Sequence, residues 1–141
     1  EDGSWTPQNV AAAEIEGFEI DANLHYGMFS HNISYANIDT TDAATGEQLI
    51  RRAKKHFNYS INASFDKINV ALNYSHKGER FDNYGAELDG YSVVNVNVTY
   101  TLNDNLSFNL KANNLLDEEY QTAADYNTQG QAIYLGVSYQ Q

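Results

Sequence analysis

The sequence predicts an all-β chain of antiparallel, up-and-down strands of the transmembrane β-barrel kind, about seven of them. Three observations carry that prediction. Apolar and polar residues alternate strictly over segments of about ten residues. Tight turns alternate with long polar connections, and the polar face is built of amides and hydroxyls more than of charges. No stretch reaches the roughly 18 consecutive apolar residues of a membrane helix, so a bilayer is met by strands.

The first segment sets Phe18, Ile20, Ala22, Leu24 and Tyr26 against Glu19, Asp21, Asn23 and His25. The second, over Phe29 to Ile38, sets Ile33 and Tyr35 against Asn32 and Ser34. In the third, Phe57, Tyr59, Ile61, Ala63 and Phe65 interleave with Asn58, Ser60, Asn62 and Ser64. Ile68, Val70, Leu72 and Tyr74 form the apolar set of the fourth, and Val94, Val96, Val98, Tyr100 and Leu102 that of the fifth. The sixth carries Leu106, Phe108, Leu110 and Ala112, and the seventh Ile133, Leu135, Val137 and Tyr139. These apolar faces exceed the five or six residues usual in soluble strands.

Gly27-Met28, Asp66-Lys67 and Asn103-Asp104-Asn105 read as tight turns, whereas 39–48, 78–90 and 116–131 read as long polar loops. In outer-membrane barrels the short connections are periplasmic and the long ones external. The chain is therefore expected to start outside at Glu1 and, after seven crossings, to end in the periplasm at Gln141. Single-chain bacterial barrels have an even strand number, so at least one further strand is expected upstream. No basic segment followed by an apolar run opens the sequence, which fits a mature or truncated chain.

Composition narrows the function. The 141 residues include no cysteine, which excludes disulfides and thiolate metal sites. A net charge of −11 argues against general nucleic-acid binding, and the acidic residues form no tail-like run. Asn-x-Ser/Thr triplets at Asn32, Asn58, Asn62, Asn73, Asn97 and Asn105 follow from strand parity, because positions i and i+2 share a polar face. His25, His31, His56 and His76 are scattered over different strands and read as polar-lumen or interface residues. No nucleophile grouping or phosphate-cradling loop is present, so neither an enzyme nor a cofactor is expected. Arg51, Arg52, Lys54 and Lys55 form the one basic cluster. Parity counted from Phe57 points Arg51 and Lys55 outward, toward lipopolysaccharide phosphates, and Arg52 and Lys54 inward, toward a ligand.

The run Asn113-Asn114-Leu115-Leu116-Asp117-Glu118-Glu119-Tyr120 resembles a motif near the end of TonB-dependent outer-membrane receptors. Ile15-Glu16-Gly17-Phe18-Glu19, Leu49-Ile50-Arg51-Arg52-Ala53-Lys54, Gly78-Glu79-Arg80-Phe81-Asp82 and Gly90-Tyr91 resemble further landmarks of the family, in order. Residues 49–54 and 130–135 look most like its cobalamin (vitamin B12) receptors. The resemblance implies that residues 1–141 are the C-terminal part of a 22-stranded barrel in the bacterial outer membrane, without the plug domain. It implies import of cobalamin, or of a siderophore as runner-up, driven by TonB through the plug, and it implies ligand contacts at Arg51 and Tyr84. Gln141 departs from the family, which usually ends in an aromatic residue. Outer-membrane lipid and lipopolysaccharide are the other expected partners, and the open sheet edges predict that the isolated piece self-associates. A soluble β-sandwich binding module is the competing class, with the same alternation and its faces inverted.

Overall fold

A computed structural model describes residues 12–141; the expected external start at Glu1 lies outside them. Eleven strands form: β1 Ala13–Tyr26, β2 Phe29–Asp42, β3 Lys55–Phe65, β4 Ile68–Lys77, β5 Arg80–Phe81, β6 Glu87–Leu88, β7 Tyr91–Asn103, β8 Leu106–Asn113, β9 Gln121–Ala123, β10 Tyr126–Asn127 and β11 Ala132–Tyr139. Seven make one antiparallel sheet in the order β1-β2-β3-β4-β7-β8-β11, and β5-β6 and β9-β10 are two small hairpins. Every long strand pairs with its neighbour in the chain, the up-and-down arrangement predicted from the turns. The described sheet is a single layer with no second sheet packed on it, so the sandwich alternative is not what forms.

Register explains the alternation. One row crosses all seven strands through Leu24, His31, Ile61, Leu72, Val96, Ala112 and Ile133. The row beside it, on the opposite face, runs Asn23, Asn32, Ser60, Asn73 and Asn95. Aromatic pairs border the apolar face at two levels. Phe18–Tyr35 and Phe57–Tyr74 lie toward the long loops, and Phe29–Phe65 and Tyr100–Phe108 toward the tight turns. Phe57 and Phe65 are eight residues apart, about 27 Å along the strand and about 20 Å along the normal at a tilt of ~40°, the scale of a barrel's apolar band.

Several sequence expectations shift. β1 and β2 extend past the apolar band to Ala13 and Asp42, so the first long loop begins as paired strand. Above a bilayer, ladder hydrogen bonds and β-branched residues such as Thr40 and Thr41 sustain pairing without an apolar face. The two later loops are folded into the β5-β6 and β9-β10 hairpins. His25 and His56 fall on the polar face, whereas His76 stands on the apolar face at the aromatic border, opposite Phe57, and His31 on the apolar face in mid-strand. Both of the latter are paired there: His31 Nδ1 lies 2.9 Å from the Tyr59 hydroxyl and His76 Nδ1 3.0 Å from the Ser92 hydroxyl. Such pairing removes most of the cost of a polar group among apolar neighbours.

Burial is concentrated at the end of the sheet that carries the long connections. Ala53, Arg80, Asp82, Leu88, Tyr91, Val93 and Asn114 are buried there, and within the strands Ala63 and Ala112 are buried as well. The packed core of the described chain thus sits where the three long connections meet, over one end of the sheet.

Candidate functional site

The three connections are residues 43–54 after β2, 78–90 after β4 and 114–131 after β8. The motif over Asn114 to Tyr120 explains how the third holds its shape. Asn114 takes a left-handed backbone (φ 47°), and its buried side chain both accepts from the Glu118 N–H and donates to the Glu118 carbonyl, each at 2.9 Å. Its own N–H donates to Asn95 Oδ1 on β7 at 2.9 Å. Asp117 Oδ1 accepts the Gln131 N–H at 2.6 Å, closing the base of the loop. The motif is a staple of side chain to backbone bonds, and it delivers Tyr120 onto Tyr91 at the start of β7.

Two ties bind the second connection to the third. Arg80, itself buried, donates through Nη2 to the Gln121 carbonyl and lays its guanidinium 5.3 Å from the centre of the Tyr91 ring. Tyr91 stacks in turn on Tyr120.

Asp82 is the second tie and the centre of the cluster. It is 2% exposed and gathers donors from all three connections. Oδ1 accepts from Arg51 Nε and from the Asn83 N–H, and Oδ2 from the Ala124 N–H, each at 2.7 Å. Those donors, Arg51 foremost, bring its carboxyl from the ordinary 3.8 down to about 2. The Arg51 backbone N–H also donates to the Phe81 carbonyl at 2.6 Å.

Sequence parity pointed Arg51 outward; the structure corrects that. β3 begins only at Lys55, and Arg51 lies in the preceding turn with φ 60°, so alternation does not reach it. The turn sends its side chain to Asp82 through Nε, while 51% of the side chain stays exposed. Lys54 is ion-paired with Asp39 of β2 at 2.6 Å. Tyr84, two residues beyond Asp82, sits in the helical turn Asn83–Gly85 with φ 60° and is fully exposed. The two residues singled out from sequence therefore belong to one cluster, joined through an aspartate that the sequence marked only as the end of a family landmark. Among the described residues no group of three His, Cys, Asp or Glu could hold a metal ion.

Comparisons with known proteins agree with this architecture. A family profile described as TonB dependent receptor-like, beta-barrel, matches residues 1–115. The chain is 32% identical over 139 residues to the vitamin B12 transporter BtuB of Photobacterium profundum, covering 97% of this chain and 23% of that one. To the BtuB of Vibrio vulnificus it is 33% identical over 134 residues, covering 95% and 21%. The chain thus spans under a quarter of the length of these relatives. Among solved structures it is similar to the pyoverdine outer membrane receptor FpvA of Pseudomonas aeruginosa, with a TM-score of 0.77 at 15% identity over 91% of this chain and 21% of that one. The ferric-catecholate import receptor Fiu of E. coli gives a TM-score of 0.77 at 20% identity over 90% and 21%. At such identities the solved structures speak for the fold.

Proposed function

The chain belongs to the TonB-dependent receptor β-barrel family of the bacterial outer membrane, and from that premise we propose that it is the C-terminal part of a receptor that binds cobalamin and imports it with TonB-coupled energy. One observation carries the choice of ligand: the vitamin B12 transporters align with 97% of the chain at 32% identity. The chemistry of the external cluster supports it. Cobalamin carries a rim of neutral amides around a broad flat macrocycle. Arg51, held to Asp82 by Nε, has its terminal nitrogens left to donate to amide carbonyls. Tyr84 offers an exposed ring with little conformational entropy to lose on contact.

The amide and hydroxyl face of the sheet then turns to the lumen and the plug, and the apolar face to lipid. The test is made on the full-length receptor in outer membranes. Arg51→Ala and Tyr84→Ala should each weaken cobalamin binding while the amount of assembled, heat-modifiable barrel stays at the wild-type level. Unchanged cobalamin affinity in both variants, with a ferric siderophore bound instead, assigns the receptor to the siderophore class.

A further inference from the structure

We propose that Asp82 is the positioning residue of the external ligand site, acting through Arg51 and joining three separate connections into one face. The proposal rests on the functional reading above and extends it to a residue that touches no ligand.

The bonding pattern carries the inference. A carboxylate has two oxygens, and here each works across a different boundary. Oδ1 holds Arg51, 31 residues away in the chain, and Oδ2 holds the Ala124 N–H, 42 residues away. The same Oδ1 caps the turn that displays Tyr84, through the Asn83 N–H. Three segments whose sequence separation gives them no reason to move together are thus fixed to one buried anion. Charge-assisted hydrogen bonds are about twice as strong as neutral ones, so the latch is stiff.

Arg51 gains most from it. Its guanidinium could rotate freely from a solvent-exposed turn, and an unfixed arginine loses side-chain entropy on binding a ligand. Fixed by Nε at 2.7 Å and by its backbone N–H on Phe81, it keeps one orientation before the ligand arrives. No amide can substitute for the carboxylate. In Asp82→Asn one acceptor becomes an NH₂ group, which must face either the Ala124 N–H or the pair of donors at Oδ1.

The test has a ligand arm and a ligand-free arm, both on the full-length receptor. Cobalamin affinity is measured for Asp82→Ala and Asp82→Asn, alone and combined with Arg51→Ala. Acting chiefly through Arg51, either Asp82 change should weaken binding about tenfold in the wild-type background and by only about two- to threefold, through the Tyr84 turn, where Arg51 is already gone. A nitroxide label on exposed Thr122, read without ligand, should become more mobile in both Asp82 variants while barrel assembly stays intact. Equal losses in both backgrounds, or wild-type affinity despite a loosened label, overturn the proposal, as does an unchanged label. A wild-type receptor that ignores cobalamin but takes a ferric siderophore removes the functional reading alone, and the same cycle run on that siderophore then decides the role of Asp82.

Discussion

Tyr91 and Tyr120 lie with their ring centres 4.0 Å apart and their planes 22° from parallel, one at the first residue of β7 and the other at the end of the third connection's motif. The contact joins the rim of the sheet to a segment that is held besides by its own side chain to backbone bonds and by Arg80 and Asp82 of the second connection. Removing either ring should release residues 114–131 locally and leave the sheet intact. A double-mutant cycle with Tyr91→Leu and Tyr120→Leu, read by hydrogen exchange of amides in 114–131, should show a coupling of about 0.5–1.5 kcal/mol. Strictly additive effects would mean that the two rings are neighbours without being partners.

Asp82 gives the external cluster a pH limit. Its carboxyl is depressed when folded, to about 2 from the ordinary 3.8. A depressed acid contributes stability above its unfolded value and loses it as the pH falls toward the folded value. The order of the connections should therefore hold from neutral pH down to about 4 and fade between about 4 and 2. A label on Thr122, titrated by electron spin resonance, should report that step in the wild-type receptor. The step should be missing in Asp82→Asn, where mobility is high at every pH; a variant with the same low-pH step would assign it to another group.

How far the sequence could be read depended on where the controlling partners lie. Ile61 and Asn62 declare their faces locally, since alternation within β3 is enough, and the ladder to β2 and β4 only confirms it. The tight turns were legible for the same reason, Gly27 supplying φ 57° on its own. Arg51 was misdirected because parity was carried through a turn it cannot cross. The role of Asp82 could not be read because nothing beside it marks burial: its donors Arg51 and Ala124 come from other connections. The sequence signal was its place at the end of the landmark Gly78-Glu79-Arg80-Phe81-Asp82, which marks the segment without giving Asp82 a role. Gly17, quoted as part of a family landmark, gains a physical reason only from the ladder, where a Cβ would stand 2.2 Å from the Asn37 carbonyl oxygen.

The facing of the strands can be tested at one adjacent pair. Ile61 belongs to the row that runs through His31 and Leu72, midway between the two aromatic levels, and in a membrane its side chain meets lipid. Asn62 pairs with Ser30 and Ala71 on the other face, the one expected to line the lumen. An arginine placed at mid-bilayer on the lipid side costs roughly 2–4 kcal/mol, because its charge must be drawn out of water or must thin the bilayer to reach it. On the lumen side the same guanidinium finds water and the amides of Asn73 and Asn97, and the cost should be well under half as large. Folding of Ile61→Arg and Asn62→Arg receptors into lipid vesicles, followed by denaturant titration, measures the difference. Equal destabilisation at the two positions would contradict the assignment of faces, and a larger loss at Asn62 would invert it.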